Sequence, residues 1–115
     1  MSNSMRGAVT FTAGGAERTL RCSTNSMVRY QDAANETIFD GLQALQDSPS
    51  DMRRIRNIFW AFLNPPDVSA EDAGDMIDEI GLQVAAGLIG DAAKAAFPEE
   101  EKDAGNGRQR KPKAA

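Results

Sequence analysis

Apolar residues recur every three or four positions through residues 48–63, SPSDMRRIRNIFWAFL, which sets Met52, Ile55, Phe59 and Phe62 on one helical face, with Ile58 and Leu63 widening the stripe. Ser48 stands where a cap belongs, Pro49 suits the first helical position, Asp51 suits a capping-box acid, and Pro65 and Pro66 end the pattern. This stretch holds the only tryptophan, Trp60, and the remaining apolar segments read as its cover. Arg53, Arg54 and Arg56 crowd the first turn, where the helix dipole disfavours cations, so acids are expected to reach them from elsewhere.

Before this helix the periodicity is two. Residues 6–12 alternate, with Val9 and Phe11 on one side, residues 13–16 (AGGA) supply a turn, and residues 18–22 resume with Leu20 and Cys22 on one side. A lone hairpin is marginal in water, so this apolar face has to rest on helices. Ser23 or Thr24 caps a first helix to about Ala34, carrying Met27, Tyr30 and Ala34 at helical spacing. Asn35-Glu36 forms a joint, and Thr37 caps a short helix with Ile38, Leu42 and Leu45 inward, weakened by Gly41. Beyond the prolines, Ser69 and Asp72 make a capping box for a helix whose Met76, Ile77 and Ile80 face inward and which Gly81 ends. Residues 82–97 form the last helix, with Ala85, Leu88, Ile89, Ala92 and Ala96 at core spacing.

The predicted fold is therefore α+β, mainly α: an N-terminal β-hairpin (residues 6–22) packed on a bundle of four to five short helices (23–97) in one domain, 6–98. Residues 1–5 are expected to be flexible. Residues 99–115 are expected to be a disordered charged tail, because no large apolar side chain follows Phe97 to offset the entropy of ordering.

Charge sharpens the picture. The chain carries −4 overall, but residues 1–97 hold 13 acids and 8 bases and residues 98–115 hold 4 acids and 5 bases. An acidic body gains nothing from counterion release on DNA, so nucleic acid is not expected as a partner. No run approaches the roughly 18 to 20 apolar residues of a membrane span, and the N-terminus lacks the apolar core of a secretory signal, so no membrane is expected and the location expected is cytoplasmic.

Candidate chemistry is sparse. Cys22 is the only cysteine and there is no histidine to activate it, so it reads as a small buried apolar residue. Asp67, Glu71, Asp72, Asp75, Asp78 and Glu79 form an acid cluster with no Lys or Arg between Asp67 and Lys94; Asp72, Asp75 and Glu79 share one helix face, and the five acids from Glu71 to Glu79 are the candidates for partner binding. They lack the D-x-D-x-D-G frame of a calcium loop, and a solvated helix face does not split carboxylate pKa values as acid–base catalysis requires. The cluster reads either as a solvated face or as a surface that docks on a basic partner. Gly14-Gly15 lacks the G-K-[ST] of a phosphate loop. Neither enzyme, metal nor cofactor is expected. Trp60 is the apolar candidate for partner binding, in a groove expected between the central helix and the alanine-rich last helix.

As a whole the pattern resembles the small phage tail assembly chaperones of gene transfer agents and related siphophage-like particles. The likeness runs over residues 6–98: RGAVTF at 6–11 followed by a glycine turn, LRCSTN at 20–25, a helical middle, PDVSAEDAGDMIDEIG at 66–81 and AAKAAFP at 92–98. Where that family commonly has an acid in the first helix and a glycine after it, this chain has Gln31 and Asn35-Glu36. The resemblance implies a non-catalytic helper of tail morphogenesis in the bacterial host cell. Such a helper binds the long helical tape-measure protein until tail-tube subunits polymerise around it, and it is absent from the finished particle. A small acidic regulatory or antitoxin-like binding protein and a minor virion tail or connector component are the alternatives.

Overall fold

The computed structural model describes residues 8–97. The element order is β1 (Ala8–Ala13), β2 (Ala16–Arg21), α1 (Thr24–Ala34), α2 (Ile38–Asp47), α3 (Met52–Phe62), α4 (Ala70–Ile80) and α5 (Leu82–Ala96). The expected α+β, mainly helical architecture is what the chain forms. The expected segments 1–5 and 99–115 lie outside the described residues, as does Arg6 at the start of the expected strand.

β1 and β2 pair antiparallel in a register that sets Val9 opposite Leu20, Phe11 opposite Arg18 and Ala13 opposite Ala16. The turn between them needs two residues at positive φ, and Gly14 (64°) and Gly15 (74°) provide them. Leu20 then bridges to Leu63, and the Asn64 amide donates to the Thr19 carbonyl at 3.0 Å, so the end of α3 is stitched to the hairpin's second strand. On the apolar face, Phe11 meets Phe59 edge-on with ring centroids 5.4 Å apart.

Helix α3 is the centre of the core. Ile55, Ile58, Phe59, Phe62 and Leu63 are buried, as the periodicity required, and Ala61 is buried with them. Its start differs from expectation. Asp51, rather than Ser48, is the N-cap: its side chain accepts from the Arg54 amide. Ser48 instead closes α2, donating its amide to the Ala44 carbonyl, and Pro49 stands outside the helix. With the first turn moved, Met52 faces solvent and is half exposed rather than part of the stripe.

The other caps follow the local chemistry. Ser23 caps α1, Thr37 caps α2, and Ser69 with Asp72 completes a capping box on α4. Asn35 ends α1 at φ 61°, a left-handed conformation that asparagine tolerates. Buried Ser26 donates to the Arg21 carbonyl at 2.7 Å and so fixes the start of α1 against the end of β2. Gly41, expected only to weaken α2, is there because Tyr30 occupies the space a side chain would need. Gly74 does the same for α3 and α4: a Cβ on it would lie 3.3 Å from Arg56 Cδ, so the Arg56 stem rests against α4.

Helix α5 runs beneath the sheet and α3, burying Ala85, Ile89 and Ala92. No helix among the described residues is long and apolar enough to cross a membrane.

Candidate functional site

The acid-bearing helix does not face solvent alone. Three and four residues per step place Asp72, Asp75 and Glu79 on one side of α4, and packing turns that side toward the hairpin turn. There Glu79 accepts the Gly14 amide with both carboxylate oxygens, at 2.9 and 3.0 Å. Between the two elements lies a groove of about 250 Å³. Ala13, Val68 and Met76 supply its apolar lining, and Asp72, Asp75, Glu79 and Arg18 its polar one.

Each carboxylate there has a different engagement. Asp72 caps α4 through the Ser69 amide, and Glu79 holds the turn, whereas Asp75 has no hydrogen bond or ion pair among the described residues. Arg18 forms no ion pair within 4.0 Å there either, and its Nε–H is buried without an acceptor. The groove thus keeps an excess of negative charge over an apolar floor. Glu71 and Asp78 are exposed on α4 outside this lining.

Trp60 is half-buried and its indole N–H donates to the Val68 carbonyl at 3.0 Å. It clamps the connection between α3 and α4, the same connection that contributes Val68 to the groove. The expected groove between α3 and α5 is not where the Trp60 indole finds its partner, and Ala85 and Ala92 of α5 are buried, as their core spacing required. Trp60 therefore touches the hairpin–α4 groove only through its hydrogen bond to Val68.

A second polar constellation sits where α1 ends and α3 begins. Arg54 forks onto Glu36, with Nε to Oε2 at 2.9 Å and Nη2 to Oε1 at 3.0 Å, and sends Nη1 to Asp51 at 2.9 Å. The Tyr30 hydroxyl donates to the same Glu36 carboxylate. The Arg54 guanidinium and the Tyr30 hydroxyl hold Glu36 below the usual carboxylate range, and burial, followed by the hydrogen bond to Glu36 and then its charge, pushes the Tyr30 phenol up. These groups border an open cleft of about 600 Å³ also lined by Arg53 and Asn57. Every member of the Tyr30–Glu36–Arg54–Asp51 set is spent on another, so the set locks the α1–α2 joint to the first turn of α3. It is also the acid partner that the arginine-rich first turn called for, met by Arg54 alone: Arg53 and Arg56 form no ion pair among the described residues.

Among the described residues no group of three His, Cys, Asp or Glu side chains is placed to hold a metal ion. Cys22 is buried, which raises its thiol pKa to about 11. Gly14, Arg18, Val68 and Met76 are the groove residues that spacing alone did not single out for binding. Only the three-and-four spacing of the acids hinted at a shared face, and nothing local says that the hairpin turn lies across it.

Comparison with protein-family models, with curated proteins and with solved structures finds no match for this chain.

Proposed function

We propose that this protein is a non-catalytic tail assembly chaperone of the phage and gene-transfer-agent type, which holds the tape-measure protein during tail morphogenesis. The observation that carries the reading is the hairpin–α4 groove, an apolar floor rimmed by Asp72, Asp75 and Glu79. Such a surface suits an amphipathic helix that lays apolar residues on Met76 and Val68 and sets basic residues against the rim. The sequence resemblance over residues 6–98 supports the same reading and supplies the partner, a long helical protein whose apolar faces need cover. Tail-tube subunits would then compete the partner away as they polymerise, leaving the chaperone in the host cytoplasm and out of the finished particle.

Co-expression with the tape-measure protein from the same gene cluster tests this. Soluble co-purification, weakened by Asp75→Lys, is the expected result. A tape-measure protein that stays insoluble and unbound in the presence of the folded protein rejects the reading. Finding the protein in purified particles would instead favour a minor virion component.

A further inference from the structure

We propose that the free edge of β1 pairs with the same edge of a second copy of this chain, antiparallel about Thr10, so that two hairpins join into one four-stranded sheet in the order β2–β1–β1–β2. The inference concerns the protein alone and does not depend on what its groove binds.

The two edges of the hairpin are not alike. A two-residue turn makes Ala13 and Ala16 a hydrogen-bonded pair, and alternation from there turns the backbone N–H and C=O of Val9, Phe11 and Ala13 toward β2 and those of Ala8, Thr10 and Thr12 outward. On β2 the same alternation turns Thr19 and Arg21 outward, and both carbonyls are met: the Asn64 amide donates to Thr19 and the Ser26 hydroxyl to Arg21. Among the described residues nothing meets the outward groups of Thr10 and Thr12. Burial is lopsided in the same sense. On the apolar face Leu20 of β2 is fully covered, whereas Val9 opposite it, and Phe11, stay partly open. The devices that ordinarily guard such an edge are missing, since AVTFTA holds no charge, no proline and no bulge.

The edge is complementary to itself. A helical partner satisfies its own backbone groups and leaves these unmet, so the occupant has to be an extended strand. Setting Thr10 opposite its own counterpart pairs Ala8 with Thr12 in both directions, and each of these pairs exchanges two N–H···O bonds, so every outward group from Ala8 to Thr12 is used. The same register sets Val9 against Phe11 of the other copy in the closer, non-hydrogen-bonded positions on the apolar face, an aromatic and β-branched pair that covers what each hairpin leaves open. A slip of one residue loses both matches. Charge selects the same seam. The chain is acidic overall, which disfavours most approaches of two copies, but β1 brings no charge to the contact. The charged residues of β2, Glu17, Arg18 and Arg21, are held three strand spacings from the other copy's β2, about 14 Å, beyond the Debye length of about 8 Å at physiological salt.

A seam from Ala8 to Thr12 is a small interface, of the class that associates weakly. Sedimentation of the full chain from about 5 µM to about 1 mM, a range that brackets such affinities, is expected to show monomer passing to dimer. Thr10→Pro removes an outward N–H and none that the hairpin uses, and Thr10→Lys sets two cations face to face at an exposed position. Both variants are expected to keep the parent's circular dichroism and to remain monomeric through the range. Thr10→Cys reads the register, because counterparts about 5.5 Å apart lie within disulfide reach, whereas two Thr12→Cys copies stand about 15 Å apart. Rapid oxidative cross-linking of the first and not of the second is expected, with buried Cys22 left in place. A parent that stays monomeric to about 1 mM overturns the proposal, as does a dimer that survives in either folded variant, or equal cross-linking at 10 and 12. Hydrogen-exchange protection of the Thr10 and Thr12 amides that arises only when another protein is added overturns it too, by assigning the edge to a foreign strand.

Discussion

Tyr30 lies across Gly41 so closely that a Cβ at position 41 would stand 2.6 Å from its hydroxyl oxygen and 2.9 Å from Cε2. Tyr30 is itself buried and hydrogen-bonded to Glu36, so it cannot swing away without breaking the joint between α1 and α2. Gly41→Ala should therefore cost about 1–3 kcal/mol despite alanine's better helix propensity. Gly87→Ala, at a helical position with nothing within 4 Å, should do the opposite and stabilise by about 0.5–1 kcal/mol. Urea denaturation of the two variants beside the parent decides between packing and propensity at these sites.

Acid should loosen the same joint. The folded state holds Glu36 below its ordinary pKa of 4.5, so the stabilisation from its ionised form is complete above that value and fades as pH falls through the lowered one. Glu36→Gln should be less stable than the parent at neutral pH, with the two stability curves converging below about pH 4.5. Thermal melts at a series of pH values check this. Parallel curves down to strongly acidic pH would show that Arg54 does not depend on the carboxylate.

Cys22 gives a readout of opening. Its burial and its raised thiol pKa, about 11, both suppress the reactive thiolate at neutral pH. Labelling by an aromatic disulfide should be slow in the native protein and rapid in urea, with the native rate tracking the opening equilibrium. Fast native labelling would mean that the hairpin separates from the helices far more often than its packing implies.

Glu79→Gln should act locally. The Gly14 amide would lose a charged acceptor in an exposed setting, so the global cost should stay at or below about 1 kcal/mol. Hydrogen exchange at Gly14 should nevertheless rise clearly, while amides in the centre of α3 keep their protection. A large loss of global stability would show that the turn is part of the cooperative core.

What the sequence made legible was local. The glycine turn, the Ser69–Asp72 box, the Thr37 cap and the buried stripe of α3 each follow from neighbours within one turn or one hairpin. The choice between Ser48 and Asp51 was missed because both are good caps, and Asp51 wins by holding the Arg54 amide and guanidinium together, a side-chain pairing that cap preferences do not weigh. Gly41 looked like a weak helix former because its reason, Tyr30, lies on another helix. The candidate site was half visible: the acids could be placed on one face, but their counterpart is a turn 65 positions away. The engagement of Trp60 was hidden for the same reason, since the indole finds its acceptor on the connection to α4.

The bridge from Leu20 to Leu63 has a consequence for synthesis. β2 acquires that neighbour only after the 45 positions that separate Thr19 from Asn64 have been translated, which takes about 2 to 9 seconds at about 5 to 20 residues per second. Through that interval the nascent hairpin presents an unpaired strand edge and an uncovered apolar face, and α5 arrives later still. The growing chain, more than the finished protein, is the species most open to mispairing with its neighbours on a crowded polysome.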